Sequence, residues 1–389
     1  PSTIGAGMVI GNSIAVATQR VVAPVQGMHR AIADRWFSVL GSPARPVRRV
    51  HDGISDAVYG SIRLGGAVAG TVVEARTGRH SGAAESAQSV VNGLWGDNLG
   101  PGASGLGIEM AIRDRSGAIV PANHELGDSF CDATGHLVVL VHGLIETERC
   151  WAGSDSDSGL LDRLALHPDL TPVALRYNSG LRISENGMLL SALLEAVHSH
   201  WPVPVESISL VGHSAGGLVI RGACAVASNT GSPWIGDVDR VVTIGTPHRG
   251  APLEKFVNAT AWVLGAARET RPLADFLNGR SVGIKDLRFG AIVEDDWHGR
   301  NPDALLHNTV GDHSLPPGIE HHFVAGAVTG DPTHPLGASV GDFVVRPSSA
   351  TARNHLAPTS AAVFGRTSHP TLQRDADLVH HVMECLTRF

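Results

Sequence analysis

The chain has 389 residues, 43% of them hydrophobic and 17% charged, which supplies a large core and length for two domains or one elaborated domain and excludes wholesale disorder. Mean hydropathy is +0.06, but 46 Gly interrupt the apolar stretches, and no uninterrupted run of about 18 apolar residues, the length of a spanning helix, occurs. A net charge of −7 argues against a nucleic-acid binder, whose affinity comes from neutralised phosphates.

Residues 1–82 carry nine Arg against four Asp or Glu, a balance of +5 that leaves −12 for the remainder. Met28, Ile32, Trp36 and Leu40 recur at helical spacing, as do Val47, Val50, Ile54, Val58 and Ile62, so two amphipathic helices are predicted. A Gly-rich stretch ending in GPGASGLG then marks a linker, and residues 1–106 read as a small helical domain of unassigned role. Its basic charge is read as packing against the acidic remainder in preference to partner or oligomer contact or a membrane surface. From Gly107 the texture becomes short β-branched runs alternating with helical stretches, the pattern of an α/β layer architecture with a mostly parallel sheet. Strands are predicted at 108–113, 137–141, 173–177, 207–211, 239–244, 321–327 and 360–365. Residues 251–316 read as a helical insertion over the sheet, and 328–359 as loop.

Cys131, Cys150, Cys224 and Cys385 are scattered, with no CxxC pair and no zinc spacing, so they read as free thiols and no metal ligand set is assigned. The chain as given starts at Pro1 with neither a basic nor an apolar leader segment, and a cytoplasmic location is expected unless a signal has been removed.

A serine projected from a sharp strand-to-helix turn needs small residues two before and two after it, giving Gly-x-Ser-x-Gly. The pattern occurs three times, around Ser214, Ser281 and Ser339. Only Gly212-His213-Ser214-Ala215-Gly216 follows an apolar β run, Ser207–Val211, and precedes a helical one, so Ser214 is the expected nucleophile. The Ala215 amide opens that helix and points where an oxyanion would form. A second donor is expected after an earlier central strand, where HLVVLV breaks at His142-Gly143, which nominates the Leu144 amide. His142 is read as shaping that turn.

The stretches VVLVHGL, SLVGHSAGG and VVTIGTPHRGAP, in this order, resemble the α/β-hydrolase superfamily, specifically bacterial lipases and esterases and the branch that includes GPI-inositol deacylases. The resemblance covers about 107–389 and implies an α/β-hydrolase fold with a helical cap at about 251–316, while the N-terminal helical domain, residues 1–106, resembles nothing assignable. Residues 280–289, around RSVGIKDLRFG, are also similar to a stretch in bacterial members, with no catalytic role attached. The triad order of the fold is Ser, then Asp or Glu, then His. Asp342, in Gly341-Asp342-Phe343-Val344-Val345, is similar to the Gly-Asp-Gly-Val-Val acid loop of such lipases, with Phe343 where that pattern has Gly. It is preferred to Asp331, which reads as a turn residue, and Asp295 and Asp296 read as cap or structural residues. Among 21 His, His369 follows the last strand and immediately precedes Pro370, a good first helical residue, and is preferred as base to His355, His380 and His381.

The resemblance implies a serine carboxylic-ester hydrolase of the esterase or lipase kind, working without a cofactor through Ser214, Asp342 and His369 on a small-molecule ester or lipid. An amidase or thioesterase on the same triad, or a catalytically silent binding fold, remain as alternatives. Phe256, Trp262, Val263, Leu264, Leu273, Phe276 and Leu277 either line an acyl pocket or pack the cap onto the sheet.

Overall fold

The computed structural model describes residues 82–99, 107–153, 159–266, 270–311 and 313–387, with residues 26, 27, 30, 34, 48 and 52 besides. The apolar positions on which the two helices expected over 28–40 and 47–62 rest lie outside the described residues. By contacts the chain divides into Pro1–Val91 and Asn92–Phe389. Residues 92–97 are stitched into the second unit: Asn92 Oδ1 accepts the Ile108 N–H at 2.9 Å, Gly96 O accepts from Asn178 Nδ2 at 3.0 Å, and Gly93 O accepts from Ser281 Oγ at 2.6 Å.

The second unit is built on one eight-stranded sheet: β1 (Ala111–Arg113), β2 (Ile119–Val120), β3 (His136–Val141), β4 (Leu170–Arg176), β5 (Ser207–His213), β6 (Val238–Ile244), β7 (Glu320–Ala327) and β8 (Ser360–Gly365). Spatial order is β2-β1-β4-β3-β5-β6-β7-β8, with only β1 antiparallel to its neighbours. All seven expected strands form, and the hairpin partner β2, two residues long, is the addition. The central strands are buried on both faces, which is why they read as continuous apolar runs. Along β3, Leu137, Val139 and Val141 enter one core with the helices α2 (Ile183–His200) and α3 (Ala215–Thr230). Val138 and Leu140 enter the other, with α1 (Leu160–Ala165) and α7 (Ala376–Leu386).

Residues 251–316 hold three helices, α4 (Pro252–Gly265), α5 (Arg271–Asn278) and α6 (Val282–Asp286), and no strand among the described residues. Buried ion pairs tie them down, and they explain residues 280–289. Glu254 accepts from Arg280 at 2.6 Å and from Arg288 at 3.0 Å, Asp286 accepts from Arg182 at the start of α2, and Lys285 reaches Asp303. That stretch therefore works as a clamp under the insertion. Glu254→Ala would leave two buried guanidinium groups uncompensated, and a loss of about 3–5 kcal/mol is expected in urea unfolding.

The segment expected as loop, 328–359, instead contains short helices Pro335–Val340, Pro347–Thr351 and Arg353–Leu356. Proline opens the first two, its fixed φ suiting a first helical position. Pieces of four to six residues are too short for a helical period to show in sequence.

Candidate active site

The C-terminal ends of β3, β5, β6, β7 and β8 converge on one edge of the sheet, and the expected site residues lie in the turns that leave it. Ser214 ends β5 and caps α3 at φ 52° and ψ −122°, a conformation that L-residues rarely adopt. The small neighbours have a steric reason. A Cβ on Gly216 would lie 2.3 Å from Val141 O, and one on Gly212 would lie 2.6 Å from Gly217 N.

The Ser214 hydroxyl donates to His369 Nε2 at 2.8 Å, and His369 Nδ1–H donates to Asp342 Oδ2 at 2.7 Å. The three side chains are nearly closed to solvent, with Asp342 only 1% exposed. The other Asp342 oxygen, Oδ1, accepts the Val344 and Val345 amides at 3.0 and 2.8 Å, and Asp342 O accepts the His369 amide at 3.0 Å. The Asp342 and His369 loops are thus fixed to each other through backbone as well as side chain. Phe343, where the lipase-like pattern has Gly, sits at φ 81°. The position favours glycine for its backbone, so the departure strains the loop without touching the carboxylate.

The alternatives fall elsewhere. Ser281 is buried as the N-cap of α6, accepting from Ile284 N and donating to Gly93 O. Ser339 is exposed within Pro335–Val340. Asp331 is exposed and closes a turn on Thr333, and Asp296 staples Ile292, Val293, Gly311 and His313 together. His355 is exposed, His380 pairs with Glu384 one helical turn on, and His381 packs against Phe364.

The Leu144 amide follows Gly143, whose Cβ, were there one, would lie 3.0 Å from Ser214 Cβ, so this turn abuts Ser214. Its neighbours are engaged: Gly143 N–H donates to Glu146 and Ile145 N–H to Ser179 Oγ. The Ala215 amide, as the first of α3, has no carbonyl of its own helix to bond. His142 is fully buried, with Nδ1–H on Gly143 O and Nε2 accepting the Tyr177 amide, and burial pulls its pKa down to about 4. A neutral ring that shapes the turn is what the sequence suggests.

Glu146 escaped the sequence reading. Its Oε2 accepts from Gly143 N–H at 2.7 Å and His213 Nδ1–H at 2.8 Å, while Oε1 accepts from Gln373 Nε2 at 3.0 Å. One carboxylate therefore joins the turn after β3, the residue before Ser214 and the helical turn that His369 opens. Burial raises its pKa, but the charge and hydrogen bond of His213 and the Gly143 amide outweigh this and bring it to about 2. A carboxyl with a lowered folded pKa stabilises the fold above its unfolded value near 4.5 and stops doing so as pH falls toward 2. Melting temperatures of wild type and Glu146→Gln are expected to differ at pH 7 and to converge as pH drops through that window.

A family model described as PGAP1-like alpha/beta domain matches residues 180–313. That match spans about a third of the chain and includes the serine turn. The chain has the mostly parallel, helix-flanked sheet of the α/β-hydrolase fold. It is 30% identical over 213 residues to a triacylglycerol lipase of Burkholderia plantarii, a match covering 54% of this chain and 52% of that protein. A triacylglycerol lipase of Pseudarthrobacter phenanthrenivorans is also 30% identical, over 44% of this chain and 49% of its own length. The chain thus spans about half the length of the curated relatives it matches. Among solved structures, the mature form of Bacillus licheniformis lipase BlEst2 aligns at 20% identity and a TM-score of 0.42, covering 64% of this chain and 91% of that one. No helix among the described residues is long and apolar enough to cross a membrane.

Proposed function

We propose that the protein is a serine carboxylic-ester hydrolase whose catalytic residues are Ser214, His369 and Asp342, carried by residues 107–389. The observation that supports this most is the continuous relay Ser214 Oγ–H to His369 Nε2 and His369 Nδ1–H to Asp342 Oδ2, at 2.8 and 2.7 Å. His369 removes the Ser214 proton as Oγ attacks the acyl carbon, and the Leu144 and Ala215 amides stabilise the oxyanion that forms. Asp342 holds the imidazole in the tautomer with Nδ1–H and stabilises its cation. The imidazolium then protonates the leaving alcohol, and water deprotonated by His369 releases the acid and restores Ser214.

The relatives named triacylglycerol lipases favour an ester with an acyl chain as substrate. So does the surface of the insertion. Phe256, Trp262 and Val263 on α4 are 45%, 57% and 64% exposed, so they neither pack the cap onto the sheet nor sit in a closed pocket. Leu264 and Leu277 are half-buried, and the side chains of Leu273 and Phe276 lie outside the described residues.

Hydrolysis of p-nitrophenyl esters of increasing acyl length tests this reading. Turnover with an optimum in chain length supports it and separates a short-acyl esterase from a lipase. Absence of turnover on every ester, with turnover on matched thioesters or amides, would replace it with a thioesterase or amidase.

A further inference from the structure

A cavity of about 340 Å³ lies between the turn after β6, the start of α4 and the segment before β7, within the size range of small-molecule sites. Its lining includes Arg221, His248, Arg249, Lys255 and His313, and no carboxylate among the described residues. Elsewhere in this unit buried cations are matched: Arg176 to Glu148, Arg182 to Asp286, and Arg280 and Arg288 to Glu254. At the cavity, Lys255 Nζ has instead the Arg249 carbonyl at 3.5 Å and the Phe289 ring at 4.8 Å, and Arg249 has no carboxylate within ion-pair distance among the described residues.

Arg221 stands behind them, buried, with Nη2 on His313 O at 2.9 Å and Nη1 3.5 Å from His248 Nδ1. His313 itself is tied to Asp296. Burial and the nearby charges of Arg249 and Arg346 pull the Lys255 pKa down, and burial with the charge of Arg221 pulls His248 far down, as in an electropositive pocket. Three fixed cations line it. Asp312, between two lining residues, lies outside the described residues, and Arg249 and Lys255 have no carboxylate partner among the described ones.

We propose that this cavity binds a phosphate-type oxyanion, held by Arg249 and Lys255 with Arg221 behind them. Guanidinium and ammonium donors converging in a partly desolvated pocket suit several oxygens of one multiply charged group better than a single carboxylate or a neutral headgroup. Arg221 lies seven residues beyond Ser214 on α3, about 10 Å along the helix axis. The Ile244 carbonyl, four residues before His248, accepts the Ser214 amide. The anion would therefore sit within reach of an ester held at Ser214, carried by that ester or free. Anion binding stands by itself, and only its assignment to the substrate rests on the esterase reading.

The test is titration calorimetry of the full chain with inorganic phosphate, against sodium chloride at matched ionic strength. Arg249→Gln/Lys255→Gln is expected to weaken phosphate at least tenfold. Arg249 is exposed and Lys255 half-buried, and the single charge reversal Arg249→Glu serves as a second variant if the double one melts early. Equal affinity in wild type and variants, or no heat beyond the chloride control, would overturn the proposal. Two esters with the same acyl chain, one with a phosphate on its alcohol part and one with a neutral alcohol, identify the source. If the anion belongs to the substrate, the ratio of kcat/KM for the phosphate ester to that for the neutral one falls at least tenfold in the double variant, and free phosphate competes with the phosphate ester. If it is a separate ligand, the ratio holds and phosphate still binds. Phosphate binding without hydrolysis of either ester retains this site and removes the esterase reading.

Discussion

Replacing Ser214 by Ala is expected to lower ester turnover by a factor on the order of 10⁵ or more while leaving the fold intact, because the nucleophile and its base act as one unit. The substitution removes only an oxygen whose bond runs to His369 Nε2. The strained backbone at φ 52° is held by its surroundings: the Ser214 amide donates to Ile244 O, and Val141 and His142 O crowd the Gly216 Cα. The two other serines in the same pattern separate chemistry from stability. Ser339→Ala, at an exposed position, is expected to change neither. Ser281→Ala deletes a buried N-cap that also bonds Gly93 O, so it is expected to cost about 1–2 kcal/mol in denaturant unfolding and to leave kcat unchanged.

The second large effect is expected at Asp342. Asp342→Asn keeps the shape of the side chain but places an amide where a carboxylate accepts from His369 Nδ1–H and from the Val344 and Val345 amides. The imidazole then takes the tautomer that presents a proton to Ser214 in place of a lone pair, and a loss on the order of 10⁴ in kcat follows. Asp331→Asn, in an exposed turn that an Asn side chain can also close, is expected to stay within about twofold of wild type. Steady-state kinetics of the pair measures the contrast. Equal losses at the two positions would remove Asp342 from the account.

Much of this arrangement is written locally in the chain. β3 and β5 are legible because a strand buried on both faces must be apolar throughout, and Ser214 because its turn tolerates only small flanking residues. His369 is legible through Pro370, which opens the helical turn His369–Arg374. The glycine missing from the acid loop is informative in the same way, since Phe343 occupies the left-handed backbone that glycine would take freely. What escaped depends on distant partners or on very short elements. β2 is two residues long, and the helices between 335 and 356 are too brief to carry a period. Glu146 is one acid in a turn with no local signature, and its importance comes from His213, 67 residues away, and Gln373, 227 residues away. The outward face of α4 is a further case: Trp262 and Val263 read from sequence as lining an acyl pocket or packing the cap onto the sheet, yet an amphipathic helix leaves one face to solvent and both are exposed.

The most direct test of the central claim is reaction of the full chain with a fluorophosphonate, followed by peptide mapping of the modified serine. Stoichiometric modification at Ser214, abolished in Ser214→Ala and strongly slowed in Asp342→Asn, is the expected result. Modification at Ser281 or Ser339, or an unmodified Ser214 in a chain that hydrolyses esters, would contradict it.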